Sequence, residues 1–260
     1  MKVVIIGSGN TAAVLGGKIA AAGHELLQVV ARRQEPAALL AKEWGCPYTT
    51  QWAETDKTAD IYIVALSDRA LDGLASVLSL PGRLVVHTAG AVALSVLEPV
   101  STRCGVLYPL QSLKAAVRPF PEIPLLVDAL QPEDLPVIED FARTLSGQVQ
   151  RADDTTRLKL HLAAVLVNNF TNFLYTQAAE FCQREQIDFT LLLPIISETA
   201  ERLRRFPPRE MQTGPAVRGD RGTQKKHLIL LSNYKDINDL YNLFSIKIED
   251  YYRKMENPAS

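Results

Sequence analysis

The chain has 260 residues, enough for one large or two modest domains. A hydrophobic content of 47% with 22% charged residues fits a globular protein with a real core, and a net charge of -1 without a dense Lys/Arg tract argues against nucleic-acid or membrane-surface partners. Cys46, Cys104 and Cys182 show neither metal nor C-x-x-C spacing, Val3 to Ile6 is too short for a secretory signal, and no run approaches the ~18 apolar residues of a membrane span. A cytoplasmic protein with free thiols is therefore expected.

In chain order, Lys2 to Ile6 is a β-branched run suited to a strand buried on both faces. Gly7-Ser8-Gly9 follows at once, then a helix from Asn10 to Ala22 stopped by Gly23, then a strand from Glu25 to Ala31. This is a βαβ unit with G-x-G-x-x-A at its first turn. Gly7 permits the tight turn, Gly9 lets backbone approach a pyrophosphate, and Ala12 lets helix and strand pack closely. Gly7, Ser8, Gly9 and Asn10 are thus candidate dinucleotide contacts.

An NAD site wants Asp or Glu at the end of the second strand, for the ribose hydroxyls. Here the stretch reads VVARRQ, with Arg32 and Arg33 in that place. A carboxylate would repel a 2′-phosphate, whereas a guanidinium grips it, so NADP is the expected cofactor. The bland alternative is a solvated pair beside Glu35.

The alternation then repeats. A helix is predicted over 35–44, short strands over 47–49, 61–66, 84–87, 105–108 and 125–127, and a helix over 132–145. Such a pattern implies α/β architecture with a parallel, doubly wound sheet and ligands outside the carboxyl ends of its strands. That rule gathers Leu66, Ser67, Asp68, His87, Thr88, Ala89, Gly90, Tyr108, Pro109 and Gln111 around one cleft. Leu66, Ser67, His87, Thr88 and Ala89 are assigned to the cofactor, and Tyr108 and Gln111 to the substrate.

From Thr155 the alternation stops, and the boundary is set at 152/153. One helix of roughly 30 residues is predicted, apolar nearly all round and hence buried. It carries a stripe of Arg157, His161, Val165, Asn168, Asn172 and Tyr175. The stripe meets either a satisfied core network or a wet cleft. In the second case His161, with a reference pKa of about 6.5, is the acid/base candidate, and Asn168 joins it at the reacting centre. Asn172 would orient substrate. Further helices are predicted over 189–204, 223–231 and 236–255. Between them, QTGPAVRGD at 212–220 reads as a loop in which Asp220 caps the next helix and Arg218 is offered to substrate.

IIGSGN, ALSD at 65–68, HTAG at 87–90, YPLQS at 108–112, HLAAVLVNNFTNFLY at 161–175 and QTGPAVRGD together resemble an uncharacterised bacterial family of Rossmann-like NADP oxidoreductases. The likeness runs over nearly the whole chain. More distantly the layout is similar to pyrroline-5-carboxylate reductase, the deazaflavin-dependent NADP oxidoreductases and the 6-phosphogluconate and β-hydroxyacid dehydrogenases. The resemblance implies a nucleotide domain (1–152) and an all-helical domain (153–260) like the C-terminal domain of 6-phosphogluconate dehydrogenase, often dimeric. It implies hydride transfer to or from a small polar metabolite in an interdomain cleft, and a homodimer. It names no substrate. Two departures matter. The Lys four residues before an Asn of the β-hydroxyacid dehydrogenases is absent, since Lys159 is followed by Ala163. TGPA at 213–216 lies after the long helix rather than within it. The missing Lys keeps a second reading open, a non-catalytic NADP(H)-binding sensor or complex subunit.

Overall fold

The computed structural model describes residues 1–256. The chain forms two compact units, Met1–Thr171 and from Asn172 onward. The expected boundary at 152/153 marks the end of the sheet, while the compact units divide one helix later.

The first unit is built on eight strands: β1 Lys2–Ile6, β2 Glu25–Val30, β3 Tyr48–Thr49, β4 Ile61–Val64, β5 Leu84–His87, β6 Arg103–Pro109, β7 Leu125–Ala129 and β8 Val149–Arg151. They lie in the order β3-β2-β1-β4-β5-β6-β7-β8. All neighbours pair parallel except β6 and β7, which are antiparallel. The order reverses at β1, as a doubly wound sheet requires. The antiparallel pair follows from a connection, 110–124, that carries no helix able to cross the sheet. β8 is the strand that sequence missed, because a half-buried Val149 followed by exposed Gln150 and Arg151 gives no apolar run.

The helices of this unit are α1 Asn10–Ala21, α2 Gln34–Trp44, α3 Asp68–Asp72, α4 Asp134–Leu145 and α5 Asp154–Ala164. Alternation in the strands feeds two cores. Val3 and Ile5 face one layer with α1, α2 and α4, and Val4 and Ile6 face the other with Leu71, Leu74 and Leu97. Val3, Val4, Ile5 and Ile6 are all inaccessible to solvent, so this strand is buried on both faces, as its β-branched run predicts.

After α5 the chain forms a π-helical turn, Val165–Phe170, and resumes as α6 Thr171–Arg184. The expectation of one buried helix is corrected in two respects. The helix is interrupted by the π turn, and its apolar side chains are exposed in the single chain: Leu162 is 60%, Val167 75% and Phe170 57% accessible. Within the second unit, α7 Leu193–Arg202, α8 Arg221–Leu230 and α9 Lys235–Glu256 accompany α6. No described helix is long and apolar enough to cross a membrane.

Candidate active site

β1 ends at Ile6 and delivers Gly7 into a turn with φ +129°, a region L side chains rarely adopt. A Cβ on Gly7 would fall on the Ala65 carbonyl at the end of β4, so the turn sits directly over the neighbouring strand. Gly9 opens α1 in an extended conformation. No side chain caps that helix and no acidic residue occupies its first turn, so its leading N–H groups remain free donors. The Asn10 carboxamide is engaged elsewhere: its Oδ1 accepts from the Ala115 N–H at 3.1 Å. Ala12 is fully buried against the sheet, as the G-x-G-x-x-A spacing requires.

A groove of about 180 Å³ runs over this turn, lined by Gly7, Ser8, Gly9, Arg32, Arg33, Leu66 and Ser67 among others. Arg32 and Arg33 are exposed at the end of β2, and among the described residues neither side chain forms a hydrogen bond or ion pair. An uncapped helix N-terminus, a backbone cradle closed to any Cβ and two uncommitted guanidinium groups together fit a dinucleotide carrying an extra phosphate.

Farther along the same edge of the sheet, β5 ends in His87 and the loop Thr88-Ala89-Gly90. His87 is wholly inside the protein and its Nδ1 accepts from the Ala89 N–H at 3.2 Å. Burial, assisted by the nearby Arg157 cation, lowers its pKa to about 4, so the ring is neutral. Only the backbone of this loop is left to meet a ligand. Thr88 is likewise turned inward and bonds the Val64 carbonyl.

β6 carries Tyr108 and α5 carries His161. The Tyr108 hydroxyl lies 3.1 Å from His161 Nδ1, with the rings edge to face at 69°. Gly90 makes this meeting possible: a Cβ there would stand 2.7 Å from His161 Nδ1 and 2.8 Å from Tyr108 Cζ. The pair opens onto a cavity of about 560 Å³, whose wall includes Gln111, Ser112, Asn168 and Asn169 beside Leu110, Leu160 and Val167. That size suits a small organic molecule. Apart from Tyr108 and His161, every polar lining side chain is an amide or a hydroxyl, and no Asp, Glu, Lys or Arg lines the cavity. The π turn brings two consecutive carboxamides, Asn168 and Asn169, to one wall, and π turns are frequent at functional sites. β4 is two strands from β6, so the nucleotide groove and this cavity are about 10 Å apart along the sheet edge.

Arg157, one helical turn before His161, is 1% exposed. Its Nη2 donates to the Val92 carbonyl at 2.5 Å and to Asp154 at 2.6 Å. Asp154 in turn accepts from the Leu94 N–H. The stripe predicted on the long helix thus divides: Arg157 belongs to a core network, while His161 and Asn168 face the cavity. Asn172 and Arg218 belong to the second unit, where both are exposed. Asn169 and Ser112 were not singled out by sequence. Nothing in VLVNNF announces a π turn, whereas Ser112 lay within the quoted YPLQS.

Residues 2–90 match a family described as NADP oxidoreductase coenzyme F420-dependent, and residues 123–248 match a domain of unknown function (DUF2520). A Bacteroides fragilis protein described as a candidate NADP oxidoreductase is 37% identical, with a TM-score of 0.89 over 96% of this chain and 98% of that one. This chain belongs to the same family of NADP oxidoreductases. NADP is its cofactor. The fold of this NADP oxidoreductase also matches the pyrroline-5-carboxylate reductase of Streptococcus pyogenes (13% identity, TM-score 0.63, 96% and 98% of the chains). It matches as well an imine reductase from Myxococcus stipitatus in complex with NADP+ (13% identity, TM-score 0.60, 100% and 95%). Among curated proteins none matches the chain.

Proposed function

We propose that the protein is an NADP-dependent oxidoreductase that reduces a carbonyl or imine of a small polar metabolite in the cavity beside Tyr108 and His161. The observation that carries the reading is the Tyr108–His161 pair, which opens on the same sheet edge as the nucleotide groove. Gly7 to Asn10 would hold the pyrophosphate through backbone N–H groups, Arg32 and Arg33 the 2′-phosphate, and Leu66, Ser67, Thr88 and Ala89 the intervening wall. Bound NADPH supplies a hydride. His161 gives a hydrogen bond to the heteroatom on which negative charge develops, and the proton that completes the reduction comes from solvent. Asn168 and Gln111 orient the substrate by neutral hydrogen bonds, and the aliphatic side chains of the cavity exclude water. The fold likeness to an imine reductase supports the C=N option, and the likeness to F420-dependent enzymes supports a second hydride carrier as partner. Asn172 and Arg218 are proposed as further substrate contacts on chemical grounds alone.

The test is isotope exchange. Stereospecifically 4-deuterated NADPH, incubated with the protein and a fractionated metabolite pool, should transfer deuterium to one fraction, and His161→Ala should abolish transfer while NADPH affinity stays within about twofold. Tight NADPH binding with no transfer from either face to any fraction would replace this reading with the non-catalytic NADP(H)-binding one.

A further inference from the structure

We infer that Tyr108 is a positioning residue: its hydroxyl donates to His161 Nδ1 and holds the imidazole in the Nε2–H form, so that His161 presents a fixed N–H donor to a carbonyl oxygen or imine nitrogen in the cavity. The use made of that donor rests on the reading above, but the assignment of the proton does not.

A phenol has one proton to give, and a neutral imidazole has one N–H and one bare nitrogen. The hydroxyl and Nδ1 are 3.1 Å apart, so one of them must be the donor. If Nδ1–H gave to the phenol oxygen, the phenol proton would need another acceptor. Among the described residues the Tyr108 hydroxyl meets no other polar atom within hydrogen-bond distance. If the hydroxyl gives to Nδ1, the remaining proton stands on Nε2 and faces the cavity, whereas the reverse arrangement leaves it on a buried phenol with only cavity water to accept it. Nε2 itself bonds nothing in the described chain and is not among its buried unpaired atoms, so it reaches open space. Tyr108 is 9% exposed, and burial pushes its pKa up, so the hydroxyl stays protonated and a donor at neutral pH. Gly90 completes the device by leaving room for both rings, since a Cβ at that position would be driven between Nδ1 and the phenol.

A donor fixed in this way selects the substrate's atom. An Nε2–H can polarise a carbonyl oxygen or an imine nitrogen, both acceptors. It cannot act as the bare base that removal of a hydroxyl proton needs until the tautomer is reversed. The tautomer at rest therefore suits the oxidised C=O or C=N compound as the form received.

The experiment is histidine-selective 15N labelling with long-range 1H–15N correlation at about pH 8, where neutral rings dominate. The chain has four histidines, so His161→Gln assigns the signal. Wild type should show His161 with a pyrrole-type Nε2 and a pyridine-type, hydrogen-bonded Nδ1. Tyr108→Phe should convert this to the averaged shifts of a mixed tautomer while the other three rings keep their signals. A wild-type signal with the proton on Nδ1 would overturn the inference, as would an unchanged tautomer in Tyr108→Phe. Because a free neutral imidazole already favours Nε2–H, wild-type support comes from the hydrogen-bonded Nδ1 shift together with a single unaveraged tautomer, which can be read even if the variant folds poorly. Absence of deuterium transfer with the Nε2–H signature intact would count against the functional reading alone.

Discussion

Replacing Arg32 and Arg33 together by Ala should abolish discrimination between NADPH and NADH. Each side chain stands exposed at the end of β2 on the wall of the nucleotide groove, with no competing partner among the described residues. Neither has to break an ion pair to reach a phosphate. A charge-assisted hydrogen bond contributes roughly 1.5–3 kcal/mol. The two would share one phosphate in solvent, so their effects should fall short of additive and the lower end applies. The expected loss for NADPH is about 10- to 100-fold, ~1.4–2.7 kcal/mol. NADH, which lacks the phosphate, should change by less than about twofold. Because the groove is open, the preference should also shrink as ionic strength rises past the range where the Debye length is about 10 Å. Titration of reduced-cofactor fluorescence at two salt concentrations measures all of this. Equal wild-type affinities for the two cofactors would refute the reasoning. So would equal losses for both in the double variant, which would point to a collapsed groove rather than a lost phosphate contact.

Three further outcomes follow from the same geometry. His87 is neutral and buried with a pKa near 4, against about 6.5 when unfolded, so between those values the unfolded chain binds a proton that the folded one does not. Its contribution is present above about pH 6.5 and lost as pH falls toward 4, by about 3 kcal/mol at most. Urea denaturation at pH 7 and 4.5 should show this slope, reduced in His87→Phe. Arg157→Ala should destabilise by about 2–4 kcal/mol through lost packing, and Arg157→Met should recover most of it, because the stem is replaced and the two unpaired donors, Nε and Nη1, are gone. A Met variant as unstable as Ala in denaturant would show that the bonds to Asp154 and Val92 dominate. The exposed apolar side chains Leu162, Leu166, Val167 and Phe170 lie within nine residues of α5 and the π turn and have no cover in the single chain, so a homodimer is expected. A light-scattering mass that stays near 28.7 kDa as concentration rises through the micromolar range would exclude it.

Much of the first unit was legible in the sequence, because its signals are local. A β-branched run followed by G-x-G-x-x-A needs no tertiary context to specify strand, turn and helix, and Arg32 and Arg33 are placed simply by the end of the second strand. Helical spacing brings residues seven apart to one face, and His161 and Asn168 do line one cavity. What failed was whatever depends on contacts distant in sequence. Helical spacing put Arg157 on the same stripe as His161, yet Arg157 turns into the core, because the Val92 carbonyl and Asp154 accept from it there. His87 looked like a ligand contact from its place after β5, but the loop that follows turns its ring inward. The π turn and Asn169 were invisible for a different reason: insertion of one residue into a helical turn has no composition of its own.

The loop at 212–220 shows how far residue type alone can carry a functional reading. Its two glycines adopt positive φ, +112° at Gly214 and +64° at Gly219, so both are there for the backbone. Asp220 caps α8, accepting from the Thr223 N–H at 3.0 Å and the Thr223 hydroxyl at 2.7 Å. Thr213, Gly214, Pro215 and Ala216 line an apolar cavity of about 410 Å³ within the second unit, beside Phe181 and Tyr241. Chain reversal, capping and packing therefore account for each of these residues without a ligand. Arg218 differs in kind. It is exposed and, among the described residues, makes no hydrogen bond or ion pair. The rigid turn around it holds a cation that the turn itself does not use. A guanidinium fixed at its Cα by glycine geometry and left free at its tip loses less entropy on gripping an anion than one on a mobile loop. The turn reading thus covers Thr213 to Ala216, Gly219 and Asp220, and a ligand contact is a proposal for the Arg218 guanidinium alone.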